Sequence, residues 1–181
     1  LLIVDTAMKR AMKGDFDLFG EAEKLAAELG SLPSFDAQNL SYFDEKALYI
    51  SNFKKVALLA IDGASKQFGK KLVHEQEVLN NISDIMMQIY IAESMALRIA
   101  KLESLKGTNS VYRDILDVYV YDSADLVRKS ALDAINSFAA AEQMPILSAA
   151  IESLSKVAPV NIKEARRRIA DKLIADNEYK F

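Results

Sequence analysis

The chain has 181 residues, 51% of them hydrophobic, with three prolines and a formal net charge of −3. That composition suits one packed domain, or a domain with an appended arm, and excludes a disordered chain; the mildly acidic balance gives nucleic acid no electrostatic reason to bind. The absence of cysteine excludes disulfides, thiolate metal sites and a thiol nucleophile and fits a reducing compartment, and no apolar run approaches the roughly 20 residues that span a bilayer.

Helical periodicity dominates, and no segment alternates as a strand does. LLIV opens the chain without a methionine, which reads as a piece of something longer. Leu1–Lys13 predicts a first helix ended by Gly14, and Leu18–Leu29 a second stopped by Gly30, so residues 1–29 are expected to form an N-terminal arm. Residues 30–41, GSLPSFDAQNLS, gather the Pro, Ser and Asn of a linker, and Ser41 is placed to cap the next helix.

In that helix Tyr49, Phe53, Val56, Ala60 and Gly63 recur at steps of four and three along one face. Glycine inside a helix costs about 1 kcal/mol against alanine, so a neighbour is expected to approach closely at Gly63. The next helix is the most apolar. Val78, Ile82, Ile85, Ile89, Ala92, Ala96 and Ile99 keep the spacing, Leu79, Met86 and Leu97 widen the face, and Met87, Ile91 and Met95 lie off it. A helix apolar over most of its girth is central or has a second partner. A third long helix is predicted over Ser110–Phe138, with Tyr112, Leu116, Tyr119, Leu126 and Ala134 inward. Pro145 suits the first turn of a helix ending near Lys156. Ala158-Pro159 breaks the chain, and Asn161 with Glu164 opens a last helix to about Asp176. The fold class is all-α: an up-down bundle of about four main helices over residues 42–181, its short loops implying antiparallel neighbours.

Little in this chain carries chemistry. A di-iron bundle needs two Glu-x-x-His pairs, whereas the single histidine, His74, has no Glu three residues before it, so no metal site is expected and His74 reads as a cap or surface residue. No Gly-x-Ser-x-Gly elbow occurs, and an all-α chain lacks the strand that would aim one; no catalytic residue is assigned. KGTN, residues 106–109, is either a phosphate-binding turn or, more simply, a C-cap followed by an N-cap. Glu93, at the margin of its apolar face, is expected to pair with a Lys or Arg of a neighbouring helix, with Arg113 and Arg128 available. KEARRRIADK places Lys163, Arg166, Arg167, Arg168 and Lys172 on the last helix. They form either a surface for anionic lipid, a coenzyme phosphate or a partner, or a solvated face of helical ion pairs. The stripe Ile162, Ala165, Ile169, Leu173 and Ile174 on that helix is expected to dock on the bundle.

Three stretches carry a resemblance. Lys66, Phe68, Gly69, Lys70, Leu72 and Gln76 fill the pattern R-K-x-F-G-K-x-[LI]-x-x-x-Q, Ile82-Ser83-Asp84-Ile85 stands in the place of the subsequent L-A-[DE]-M, and ALDAINSF at 131–138 is similar to A-x-D-A-[VI]-Q-[IL]-[FH]. Together they resemble the C-terminal helical domain of the acyl-CoA dehydrogenase family. The resemblance implies an arginine that reaches the FAD of a neighbouring subunit, and Ser65 stands in its place. It implies a glycine-rich G-G-x-G turn after the aligned helix end, where Ala139, Ala140, Ala141 and Glu142 are expected to continue the helix. It implies a glutamate base in a Y-E-G-T block, and none comes after Glu142; KGTN has Lys106 at that place. LLIVDTAMKRAMKG is similar to the helix that comes directly after the Y-E-G-T-x-x-I-x-R block, so Leu1–Lys13 is expected to be the end of an upstream catalytic core.

The remainder resembles the C-terminal extension of very-long-chain acyl-CoA dehydrogenases and their bacterial relatives. The resemblance implies a non-catalytic part of an FAD enzyme that desaturates fatty acyl-CoA in β-oxidation and passes electrons to an electron-transfer flavoprotein. This part would hold no cofactor of its own, Phe68 and Gln76 being the cofactor-contact candidates that remain. Its partners would be the upstream core, a second copy in a homodimer and a membrane surface touched through Met87, Ile91 and Met95. The location would be the cytoplasm, or the mitochondrial matrix of a eukaryote, at the membrane periphery. Two alternatives stand beside this: an FAD-binding helical half of such an enzyme, and a free-standing helical interaction module.

Overall fold

The computed structural model describes residues 2–29 and 39–178. Among them the backbone forms α1 (Leu2–Met12), α2 (Leu18–Glu28), α3 (Tyr42–Phe68), a 3-10 helix over Gly69–His74, α4 (Gln76–Lys106), α5 (Ser110–Phe138), α6 (Met144–Leu154) and α7 (Ile162–Asp176). Residues 30–38 of the expected linker lie outside the described residues.

Side-chain caps set the helix starts. Asp17 Oδ1 accepts the N–H of Gly20 at 2.9 Å to open α2, and Ser41 Oγ accepts that of Asp44 at 3.3 Å to open α3. KGTN is a C-cap followed by an N-cap: Gly107 closes α4 at φ +83°, where a side chain would be strained, and Asn109 Oδ1 accepts the N–H of Val111 at 3.0 Å. Asn161 Oδ1 accepts the N–H of Glu164 at 3.2 Å to open α7. The Glu164 side chain reaches Lys163 and Arg167.

α3, α4 and α5 pack on one another and hold most of the core. α2 lies on α3, α1 on α4, α6 against α5 and α3, and α7 against α5. The N-terminal arm therefore docks on its own bundle, burying Val4, Leu18, Ala22 and Leu25. The inner line of α3 is as expected, with Tyr49, Phe53, Val56 and Ala60 each at most 1% exposed. Two apolar residues depart from expectation. Leu97 is 67% exposed because it lies about 140° round α4 from buried Ala92, at 3.6 residues per turn. Leu126 is exposed too, since the inward line of α5 runs through Leu116, Val120, Ser123, Val127, Ala131 and Ala134. Met87 and Ile91 face outward, whereas Met95 packs against the core and lines a hollow with Ile169 and Leu173 of α7.

Gly63 explains how the bundle turns. A Cβ added there would come within 2.3 Å of Phe138 Cε2, so the expected close approach is made by a ring at the end of α5. Phe138 also meets Phe68 edge to face, with centroids 6.5 Å apart. At this point α5 stops. Ala139 is extended (φ −74°, ψ 137°), and a turn over residues 141–143 leads into α6, with Pro145 in its first turn. The expected continuation through Ala139, Ala140, Ala141 and Glu142 is thereby corrected, for two reasons. Proline inside a continued helix would cost about 3 kcal/mol, and the modest helix preference of alanine yields to the packing of the half-buried Phe138 ring against Gly63 and Phe68.

Gly63→Ala is expected to destabilise the chain by about 1–3 kcal/mol through overpacking against Phe138. In a Phe138→Ala background the same change is expected to stabilise by about 1 kcal/mol, the ordinary helix preference of alanine. Urea melts of the four proteins read this double-mutant cycle.

Candidate functional site

The edge to which the resemblance assigns cofactor contacts lies at the end of α3. Ser65 Oγ is 3.9 Å from Met8 Sδ, so α1 lies over that position. Lys66 Nζ holds Asp62 Oδ2 at 2.7 Å, one turn back on the same helix. The Phe68 ring is turned in against Phe138, while Gln76, the first residue of α4, is exposed. The two candidate contacts thus serve different surroundings. Beside them, α2, α3, the 139–143 turn and α6 surround an open cavity of about 540 Å³, lined by Leu29, Leu59, Gly63, Lys66, Phe138 and Gln143 among others. Its size lies within the ~300–1,000 Å³ range of small-molecule sites, but Lys66, the one cation in its wall among the described residues, is already held by Asp62. His74 is exposed at the end of the 3-10 helix, and no cluster of three metal-ligating side chains exists among the described residues.

The basic run on α7 resolves into pairs. Arg168 makes a two-pronged contact with Asp114 of α5, at 2.8 and 2.6 Å, and Arg166 reaches Asp122 of α5 at 2.7 Å. Lys163 and Arg167 share Glu164 at 3.0 and 3.2 Å, and Lys172 holds Asp176 at 2.5 Å. All five cations have acids. Arg166 and Arg168 join Ala165, which is buried, in fastening α7 to the bundle. Glu93 pairs with Lys54 of α3. The two arginines considered for it are engaged elsewhere, Arg113 with Glu103 and Arg128 with Glu152.

Known proteins share this architecture. The family description "Acyl-CoA dehydrogenase, C-terminal domain" matches residues 52–152, more than half of the chain. The chain belongs to the acyl-CoA dehydrogenase family. A "Probable acyl-CoA dehydrogenase" of Bacillus subtilis (strain 168) is 25% identical over 181 residues, covering 99% of this chain and 30% of the relative. The crystal structure of an acyl-CoA dehydrogenase complexed with FAD, from Bacillus anthracis, superposes with a TM-score of 0.91 at 26% identity, again over 99% of this chain and 30% of that one. The chain thus spans about a third of the length of each.

Measured against the acyl-CoA dehydrogenase pattern, the edge keeps its packing residues and lacks its ligand groups. A two-pronged phosphate contact needs a guanidinium, and Ser65 offers a hydroxyl facing a thioether. Ala139, Ala140 and Glu142 stand where the G-G-x-G pattern has glycines for close backbone approach. These residues do not fit a flavin dinucleotide.

One cluster escaped the sequence reading. Lys46 of α3 has a side chain only 6% exposed, and its ammonium lies 2.9 Å from Asp117 Oδ1 and 3.0 Å from Glu45 Oε1. The Tyr42 and Tyr49 rings flank it, with centroids 5.0 and 5.3 Å away. The Tyr42 hydroxyl donates to Asp117 Oδ1 at 3.0 Å, and the Arg113 guanidinium stacks 4.4 Å over the Tyr42 ring while gripping Glu103 with two bonds. The Tyr49 hydroxyl accepts the N–H of Ala158 at 3.0 Å, tying down the stretch between α6 and α7. The signal was present: a lysine on the inner line Tyr42–Lys46–Tyr49–Phe53 must find anions. Among the described residues no buried side-chain nitrogen or oxygen lacks a partner. The cluster is a clamp between α3, α5 and residues 155–161.

Burial, reinforced by Asp117, raises the Tyr42 phenol far above its ordinary value, and burial pushes Tyr49 up from 10.0 to about 12. A folded-state value above the unfolded one means the stabilisation is complete below pH 10 and is lost as pH rises toward 12. In an alkaline titration of phenolate absorbance, Tyr42 and Tyr49 are expected to lag among the seven tyrosines and to ionise only as helix is lost. Burial raises Tyr119 as well, so replacing Tyr42 and Tyr49 by Phe is expected to shrink the lagging fraction and leave the part due to Tyr119. On α7, Arg168→Ala leaves the Asp114 carboxylate buried without its guanidinium, so the urea midpoint is expected to drop clearly. Arg167→Ala, whose pair is exposed, is expected to leave it unchanged.

Proposed function

We propose that these 181 residues are the non-catalytic C-terminal helical domain of an FAD-dependent fatty acyl-CoA dehydrogenase. The parent enzyme introduces a double bond between the α and β carbons of an acyl-CoA during fatty acid β-oxidation and hands the electrons to a carrier flavoprotein. The observation that carries this reading is the end of α3, where the motif's packing residue Phe68 is seated on Phe138 while the cation position is a serine under α1. What remains is a scaffold whose buried polar side chains, among the described residues, all have partners. Its work is to cover the catalytic core and shape the assembly.

The same reading includes a homodimer, in the cytoplasm or, in a eukaryote, the mitochondrial matrix. A peripheral membrane contact draws its support from the outward Met87 and Ile91. The basic helix lends that contact less, since its five cations already hold acids. No helix among the described residues is long and apolar enough to cross a membrane.

The test is direct. After incubation with FAD and gel filtration, the 181-residue chain is expected to emerge colourless. The protein translated from the whole gene is expected to be yellow and to reduce a flavin-linked electron acceptor with acyl-CoA. Stoichiometric flavin retained by the 181-residue chain sinks the proposal in favour of an FAD-binding half. A whole gene without a Y-E-G-T-like block upstream of Leu1 sinks the family role altogether.

A further inference from the structure

One helix is seated differently from the rest. Among the described residues, the contiguous apolar core takes side chains from α1 to α6 and from Val157 and Ala158, and none from α7. α2 and α6 each bury three apolar residues, whereas the fifteen residues of α7 bury Ala165 alone. Ile174 points to solvent at 77% exposure. Ile169 and Leu173, half-buried, stand over a hollow of about 270 Å³ that Met95 of α4 and Ile115, Val118 and Tyr119 of α5 also line. The helix and its seat therefore lack part of the close contact that holds packed helices together.

Two ion pairs supply what burial does not. Arg168, its side chain 52% exposed, grips an Asp114 side chain that is only 10% exposed, and Arg166 meets Asp122 at the surface. The other pairs, Lys163 and Arg167 with Glu164 and Lys172 with Asp176, run within the helix and do not tie it to the bundle. A pair that solvent reaches is screened by salt, the Debye length falling from about 10 Å at 0.1 M to about 3 Å at 1 M. Burial seats the other helices and does not answer to screening.

We propose that α7 is a charge-latched strap. Arg168 on Asp114, seconded by Arg166 on Asp122, holds it closed. When those pairs are screened it leaves its seat as a unit, while α3, α4 and α5 stay folded, and it uncovers the apolar groove of Met95, Ile115, Val118 and Tyr119. A helix of this length is marginal alone in water, so the released segment also loses its backbone protection.

Peptide-resolved hydrogen exchange of the whole protein tests this. The α7 amides are expected to exchange together, at least about tenfold faster than those of α3, α4 and α5. Raising NaCl from about 0.05 M to about 1 M is expected to speed them about tenfold further. Arg168→Ala at low salt is expected to reproduce that gain and to leave little for salt to add, whereas Arg167→Ala, which breaks only a pair within the helix, changes nothing. Met95, under α7, is expected to be oxidised by dilute peroxide faster in high salt, in step with the α7 amides. Protection of α7 equal to that of α4 overturns the proposal, as does α7 exchange in the unaltered protein that ignores salt. Faster α7 exchange with Met95 oxidation unmoved also overturns it, since the helix then frays in its seat without leaving. Should Arg168→Ala fail to fold, the salt series on the unaltered protein decides.

Discussion

A phenyl ring standing where a side chain of Gly63 would begin sets the geometry of half this molecule. Phe138 fits against α3 because glycine leaves room for it, with Gly63 Cβ space and the Phe68 ring forming its seat. Once the ring is seated, α5 cannot run on in the same direction. The chain leaves through an extended Ala139, and α6 folds back across α3 and α5. The family pattern uses glycines just after this point so that backbone can come close to a cofactor. Here a ring-in-glycine contact one residue earlier does the packing, and alanines suffice for the turn.

The second organising force is charge used inward. Lys46, Arg113 and Arg168 each sit on a neighbouring helix's carboxylate or beside aromatic rings. Breaking one partner of such a pair is costlier than making the pair was favourable, because the other charge stays buried. These contacts therefore act more on which arrangement forms than on how firmly it holds. They fix α5 against α3 at one end and α7 against α5 along its length. They also turn a basic run that looks like a patch in the sequence into a row of neutralised pairs in space.

Much of the fold was legible because helix periodicity and caps are local. Ser41, Asn109 and Asn161 open helices as their side chains dictate, and Ser110–Phe138 has the boundaries that its pattern gives. The misreadings have non-local causes. Leu97 and Leu126 are apolar but lie off the inner line, which only the packing partner defines. Ala139–Ala141 have helix preference, and a distant glycine decides against it. Glu93 has many cations to choose from along the chain, and Lys54 takes it because α3 and α4 run side by side. For the cofactor edge, residue identities at Ser65 and Ala139–Ala141 were informative on their own, whereas the covering of Ser65 by α1 needed three dimensions.

Lys46 has one consequence for the life of the protein. An amine reacts with an electrophile only when it is reachable, and this one is held by two carboxylates behind two tyrosine rings. Lysines on the surface have no such enclosure, as Lys9, Lys24 and Lys129 show with side chains about two-thirds exposed. The clamp shields this one nitrogen from reagents that reach the others, so a lysine-directed label would mark the surface and spare the joint between α3 and α5.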